Sequence, residues 1–182
     1  MNETDAIAIL EIVDTAVKIG VGALIAGVAA YFLAKLNHRQ DIEKDNLKRR
    51  RELLEKVAND IENNWNTYRR FYLVSLEYIQ RLKSHEDIPN GMESEFNERN
   101  KAVIESTDYL SSAISILLLL GENLIYEEAI KYAENSEKYM IQTSNPNNYP
   151  EINKLFTIHN DVLASKDDIF RKLNVAYSKI GL

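Results

Sequence analysis

The stretch IGVGALIAGVAAYFLA, residues Ile19 to Ala34, has no charged and no strongly polar side chain. As a helix rising 1.5 Å per residue it is about 24 Å long, a little short of the roughly 30 Å hydrocarbon core of a bilayer. Extended to Thr15 and Leu36 it is long enough to span, because the Lys18 stem can lie along apolar surface with its ammonium among headgroups. It therefore predicts a transmembrane helix. A buried core helix in a soluble oligomer is the alternative, since Ala and Gly outnumber Leu.

The charges on either side of this stretch differ. Residues 1–34 carry four acidic side chains and one basic side chain, whereas residues 35–83 carry twelve basic and eight acidic. Basic flanks stay in the cytoplasm, so we expect a short N-terminus outside and a cytoplasmic C-terminal domain. The first ten residues contain no Lys or Arg, unlike a cleaved signal peptide. The prediction is an uncleaved single-pass anchor in the inner (plasma) membrane.

Small residues recur every four positions in the anchor, at Gly22, Ala26, Ala30 and Ala34. This spacing places them on one helix face, where they allow a second helix backbone to approach closely within lipid. We therefore expect the chain to contact the bilayer and to form a homo-oligomer.

Three charged residues, Glu11, Asp14 and Lys18, share one side of a helix beginning near Asp5. An amphipathic helix at the outer interface would leave them in water. A straight helix would place them, with Gly22, Ala26 and Ala30, in a polar lumen or between subunits of a ring. In the third interpretation Lys18 merely reaches the headgroups. All three remain open at this point.

The remainder, about 145 residues, is long enough for one domain. Turn residues cluster at Ile88–Gly91 and Asn145–Pro150, and the spacing of apolar residues elsewhere is helical. Helices are predicted from Leu36 to Ser84, Ser94 to Leu120, Asn123 to Gln142 and Glu151 to Ile180, with Gly121 as a C-cap. The expected fold is all-α: an N-terminal transmembrane helix that continues into a cytoplasmic antiparallel four-helix bundle. Its parts are residues 1–36, a charged helical neck at 37–52 and the bundle at 53–182.

The apolar spacing also predicts which side chains face the bundle core. The wholly apolar end of the second helix, Ile116 to Leu120, is too short for a second span and is expected at the centre. The predicted inward residues are Leu54, Val57, Ala58, Ile61, Trp65, Tyr68, Tyr72, Leu76 and Ile79; Phe96, Val103, Ile104, Thr107, Leu110, Ile114, Leu117 and Leu118; Leu124, Ala129, Tyr132, Ser136 and Met140; and Ile152, Leu155, Phe156, His159, Val162, Leu163, Ile169, Phe170, Leu173, Ala176 and Tyr177. Arg69 and Arg70, beside aromatic residues, are interpreted as reaching past the core to water.

No strong catalytic or metal-binding motif occurs in the sequence. Cysteine is absent, no glycine-rich phosphate loop is present, and none of the three histidines has a second histidine four residues away. We therefore predict no catalytic residue, metal or cofactor. Glu127–Glu128 and Asp167–Asp168 are interpreted as solvated faces.

Charge is unevenly distributed along the chain. The net charge is −6, and residues 86–151 hold thirteen acidic against four basic side chains. This distribution argues against nucleic-acid binding and for an acidic distal face that could recruit a soluble protein partner. Its most acidic part contains Glu127, Glu128, Glu134 and Glu137. The basic run Lys48–Arg51 is interpreted as an orientation signal paired with Glu43, Glu52 and Glu55 along the helix.

The segment Asn153 to His159, NKLFTIH, resembles a degraded form of the HEPN ribonuclease motif, in which an Arg precedes a His within an all-α bundle. Asn153 stands at the Arg position and cannot stabilise a developing phosphorane, which argues against nuclease activity. Arg81 and His85 are spaced one residue too closely for the motif. His159 is interpreted as a packing histidine with a hydrogen bond.

In outline the chain is similar to the small membrane accessory proteins of type VI CRISPR systems. That resemblance implies a homo-oligomeric ring in the inner membrane that depolarises infected cells and enhances an RNA-guided nuclease. Our first hypothesis is accordingly a pore-forming or membrane-depolarising effector in antiviral defence. A membrane-tethered helical adaptor is the second hypothesis, and a membrane-bound ribonuclease, which Asn153 disfavours, is the third.

Overall fold

The computed structural model describes the backbone of residues 3–144 and 149–180, and the side chains of 27–144 and 149–180. Within these residues the chain is all-helical and contains no strand. The four helices are α1, Glu3–Ser84; α2, Met92–Leu120; α3, Asn123–Thr143; and α4, Ile152–Ser178. The all-α prediction is confirmed, and the helix ends fall within two residues of those predicted for the bundle.

Gly121 ends α2 as the sequence predicts. Its φ of 69° is left-handed, a conformation that glycine adopts without a Cβ penalty. Its backbone N–H donates to the carbonyls of Leu117 and Leu118, which would otherwise lack partners at the helix end. This cap turns the chain so that α3 begins two residues later.

The chain divides into two compact units, Met1–Lys48 and Arg49–Leu182. We call them the N-terminal unit and the bundle unit. In the bundle unit, α3 packs along both α2 and α4. All four helices contribute to one hydrophobic core, whose fully buried large side chains include Ile61, Tyr68, Phe71, Leu117, Tyr132, Tyr139, Leu155 and Ile169.

The inward face predicted for α1 is confirmed. Seven of its nine residues are buried, and Ala58 and Leu76 are partly buried against the same core. Steps of three and four residues keep these side chains on one side of a 3.6-residue helix. Arg69 and Arg70 are exposed beside this face, as predicted.

The end of α2 is not central in the bundle, so that prediction is wrong. Leu117 is fully buried, but Leu118 and Leu119 are 61% and 86% exposed. Each residue turns the helix by about 100°, and neighbouring helices cover only the side on which Leu117 lies. An apolar run therefore buries one stripe and leaves the others in solvent.

Four further inward assignments are wrong for the same geometric reason. In α2, Ile104 and Thr107 are exposed because the buried stripe passes through Val103, Ser106 and Leu110. In α3 and α4 the exposed side chains are Leu124, beside the buried Ile125, and Phe156, beside the buried Leu155. In each case the buried side chain is one residue away from the predicted one, which is a rotation of about 100° around the helix.

By length and composition, α2 is sufficiently long and apolar to cross a membrane, with a mean hydropathy of 1.5 over its most apolar window. Of that window, 28% is buried inside the structure. A core helix satisfies the same criterion, and α2 supplies Phe96, Val103 and Leu117 to the bundle core. This helix is central in the chain, unlike the anchor that the sequence predicts.

Candidate functional site

Most of the predicted pore or inter-subunit residues fall outside the described side chains. Glu11, Asp14, Lys18, Gly22 and Ala26 lie in the part of α1 where only the backbone is described. Ala30 is described and is exposed. The next large apolar residues are exposed too: Val28 48%, Tyr31 64%, Phe32 57%, Leu33 63% and Leu36 56%. We call Val28–Leu36 the apolar run.

The neck side chains predicted at 37–52 are all exposed. At its end two arginines bind other helices of the bundle unit. Arg50 donates to Glu122 in the α2–α3 turn at 2.5 Å, and Arg51 donates to the Tyr177 hydroxyl on α4. The Arg51–Glu55 pair, at 3.6 Å, follows the predicted pairing along α1. The basic run thus also fixes where the bundle begins.

His159 packs among aromatic rings of α1. Its ring stacks on Tyr72 with centroids 3.5 Å apart and an interplanar angle of 6°. It also lies parallel to Trp65 and Tyr68, and its Nδ1 is 3.4 Å from the Tyr68 hydroxyl. Burial lowers the pKa of His159, and the nearby Arg69 charge lowers it further. The geometry agrees with a packing histidine that favours its neutral form.

The degraded motif does not assemble a catalytic pair. Asn153 is exposed, and its carbonyl accepts a hydrogen bond from Thr157 within the first turns of α4. His159 stacks on α1 instead. No group of three histidine, aspartate or glutamate side chains among the described residues is placed to hold a metal ion.

The acidic face predicted on α3 is only partly free. Glu127, Glu134 and Glu137 are exposed, but Glu128 is buried. Glu128 accepts hydrogen bonds from Lys172 at 2.8 Å and Lys131 at 3.0 Å, which lower its pKa in that order of importance. The interpretation of Glu128 as part of a solvated face is therefore wrong: this carboxylate joins α3 to α4.

A groove of about 450 Å³ lies between α2 and α3, and sequence reasoning missed it. Its volume is within the range of ligand pockets in proteins. The α2 wall contains Ile104, Thr107, Ser111 and Ile114, at steps of three and four. These residues, two isoleucines and two with hydroxyl groups, form a second stripe beside the buried one, and the sequence predicts three of them in the core. An unusually broad apolar face on α2 was the signal that could have revealed it.

The α3 wall and the floor complete the groove. The wall includes Ala133, Ser136, Glu137, Met140, Ile141 and Ser144, and Asn64 and Tyr68 of α1 form part of the floor. Asn64 is fully satisfied: its amide donates to the Ser106 carbonyl and hydroxyl at 3.0 Å, and its Oδ1 accepts from Tyr132 at 2.8 Å. The floor is therefore a fixed polar network beneath apolar walls.

One buried polar atom that lines the groove lacks a well-placed hydrogen-bond partner. The Ser136 Oγ is buried and has no hydrogen-bond partner among the described residues. The Tyr132 oxygen, whose own proton is donated to Asn64, can still accept a proton from Ser136. Burial raises the pKa of Tyr132 and the neighbouring Ser136 hydroxyl lowers it, although their contact falls short of ordinary hydrogen-bond geometry. Complete loss of a partner costs a buried hydroxyl about 1–3 kcal/mol, so a ligand in the open groove that offers Ser136 a better partner is favoured.

Comparisons of this chain with protein-family models, with curated proteins and with solved structures gave no match.

Proposed function

We propose that this chain is a single-pass inner-membrane protein, N-terminus outside and bundle in the cytoplasm. In this proposal it assembles with its own copies and acts as a pore-forming or depolarising effector in antiviral (CRISPR-linked) defence. The apolar run carries the proposal. Its five large side chains are each about half exposed or more, and no described part of the chain covers them. A helix that is apolar on all sides requires lipid or other helices around it.

Contacts at two places support an antiparallel order of the helices. Arg50 of α1 pairs with Glu122 in the α2–α3 turn, and Lys83, near the end of α1, pairs with Glu151 at the start of α4, at 2.9 Å. Successive helices that turn back at alternate ends produce both pairs. In such a bundle the acidic α2–α3 region projects from one side of α1.

Small residues support self-association. Gly27 has no heavy atom within 4 Å of the position that a Cβ would occupy, and Ala30 is exposed one turn later. This leaves room for the close approach of another helix backbone, which is how helices associate in lipid. Contact between copies would also cover part of the apolar run.

The experiment is membrane potential in cells that express the wild type and the variants Gly22→Leu, Ala26→Leu and Lys18→Leu. We expect the wild type to depolarise cells and each variant to weaken this. Leucine at position 22 or 26 adds bulk that separates the helices, and Lys18→Leu removes a charge from the proposed lumen. Val21→Leu, off that face, is the control. A wild type that leaves the potential unchanged under every activating condition contradicts the effector, and a monomeric mass in detergent contradicts the ring.

The groove favours a second candidate function, a membrane-tethered adaptor that recruits a soluble partner. Charge reversal at the exposed Glu127, Glu134 and Glu137 should abolish partner capture and leave permeability unchanged. Glu128 is excluded because its reversal would break two partly buried ion pairs. Asp167→Lys, an exposed reversal on α4, is the matched control. Capture that survives all three reversals contradicts an acidic docking face.

A further inference from the structure

We infer that the groove between α2 and α3 binds a cationic amphipathic helix of a partner protein. The inference rests on the adaptor function and adds to it the chemistry and the location of the partner.

The length and periodicity of the groove match a short helix. Its α2 wall extends from Ile104 to Ile114, about 15 Å at 1.5 Å per residue, and the α3 wall is of similar length. Helices that bind grooves insert side chains at positions i, i+3 or i+4, and i+7, which span a comparable distance. A volume of about 450 Å³ accommodates a few such side chains rather than a whole helix.

Exposed apolar side chains border the groove on both sides. Ile104 of α2 is 54% exposed and Ile141 of α3 is 60% exposed. Single exposed apolar residues are common, but two isoleucines on opposite walls of one apolar groove form a continuous surface that water solvates poorly. The apolar face of a bound helix would cover both isoleucines.

One buried hydroxyl adds specificity. Ser136, which is 7% exposed, lines the groove, and its Oγ forms no hydrogen bond of ordinary geometry with a described residue. A purely apolar ligand would leave this hydroxyl unsatisfied. The partner helix therefore carries a hydrogen-bonding side chain within its apolar stripe.

The sign of the partner's charge follows from the surrounding acidic residues. Glu137 lines the groove, and Glu134 is exposed three residues before it on α3. Neither forms an ion pair with another described residue, whereas Glu105 of α2 pairs with Lys101. Residues 86–151 have a net charge of −9, from thirteen acidic and four basic side chains. A cationic helix is the complementary ligand.

A second copy of this chain fits less well. Its basic segment is the neck, but the two exposed large apolar residues there, Ile42 and Leu47, lie five residues apart. At about 100° per residue this spacing leaves them about 140° apart around the helix, so they do not form one apolar face. The occupant is therefore a different protein, and a peptide from the chain's own neck serves as a comparison in the test.

The test measures peptide binding by fluorescence anisotropy to the full chain in neutral-lipid nanodiscs. The probe is a helical peptide of about sixteen residues, with leucines at i, i+3 and i+7, one serine in that stripe, and lysines elsewhere. We expect at least tenfold weaker binding for the same peptide with glutamates in place of the lysines. The same loss is expected for Ile104→Glu and Ile141→Glu. Both side chains are more than half exposed, so these variants should fold.

The matched control is Leu73→Glu, because Leu73 is 55% exposed on α1 and does not line the groove. It should leave binding unchanged, while Glu137→Lys should weaken it severalfold and reduce its salt dependence. Equal binding of both peptides, equal loss in Leu73→Glu, or tighter binding of a peptide of residues 35–52 each overturns the inference. Membrane potential in the same variants reports separately on the effector. Partner capture by the Glu127, Glu134 and Glu137 reversals reports separately on the adaptor.

Discussion

The apolar run of α1 and the apolar C-terminal half of α2 have different surroundings. Every residue from 27 to 48 is exposed, although seven of the large side chains there are apolar. In α2 a stripe from Phe96 to Leu117 is buried by neighbouring helices. Hydropathy alone would treat both as membrane helices. Whether an apolar helix is buried or exposed therefore depends on whether another helix of the same chain covers its apolar face.

The polar residues of the two regions differ in the same way. In the bundle unit, buried polar groups are tied together: Asn64 to Ser106 and Tyr132, and Glu128 to Lys172. In the N-terminal unit the described charged side chains are exposed. The bundle unit therefore satisfies its buried polar groups internally, and we propose that lipid or other copies of the chain cover the apolar run of the N-terminal unit. Four predictions test this difference, from the largest expected effect to the smallest.

The first prediction concerns two adjacent leucines of α2. Leu117→Ala should lower the free energy of unfolding of the bundle by about 3–5 kcal/mol, because a fully buried side chain leaves a cavity. Leu118→Ala, at a 61% exposed position, should cost less than about 0.5 kcal/mol. Urea unfolding followed by circular dichroism measures both. Equal costs would mean that α2 is surrounded by lipid rather than packed in the bundle.

The second prediction concerns the apolar run. Val28→Arg places a charge near the middle of the predicted span, which costs about 3 kcal/mol for insertion. We expect the protein to move from the membrane fraction to the soluble fraction, with the unfolding midpoint of the bundle unchanged. Ile42→Arg, in the neck, is the control and should remain in the membrane fraction. Retention of the Val28 variant under carbonate extraction would contradict the anchor.

Helix positions could be predicted from this sequence because local signals mark them. Breakers are absent from Leu36 to Ser84, Gly121 provides a cap, and Pro150 precedes α4. These signals act over a few residues and need no knowledge of the neighbours. The face of α1 was also predictable, because its apolar and polar residues alternate with a clear helical period.

The groove and the buried carboxylate could not be predicted in the same way. Ile104 and Val103 are equally apolar, and only the positions of α1 and α3 decide which of them is covered. Glu128 resembles Glu127 in sequence, but it lies within reach of Lys172, forty-four residues away. A broad apolar face signals more than one neighbour, and it cannot reveal whether the second neighbour belongs to the same chain.

The third prediction tests the internal pairing of the bundle through Glu128. Its pKa is lowered in the folded state by Lys172 and then Lys131, so its contribution to stability is present above about pH 4.5 and is lost as pH falls through the folded value. Glu128→Gln should lower the urea midpoint near neutral pH, and the difference from wild type should shrink below about pH 4.5. Glu127→Gln, the exposed neighbour, should show no such pattern. A difference that persists at low pH would indicate a packing role instead.

The fourth and smallest effect concerns His159, whose pKa in the folded state is lowered by burial and then by Arg69. Above about pH 6.5 both the folded and unfolded states hold a neutral ring, so the stacking on Tyr72 contributes fully. As pH falls below that value the unfolded chain binds a proton more readily, and the free energy of unfolding decreases. His159→Phe keeps an aromatic ring and cannot titrate, so we expect the slope between about pH 5 and 7 to flatten while the bundle remains folded. A slope that is unchanged in the variant would assign the titration to another group. RNA cleavage that the wild type performs and His159→Phe loses would restore the ribonuclease hypothesis, which the exposed Asn153 and the stacked His159 disfavour.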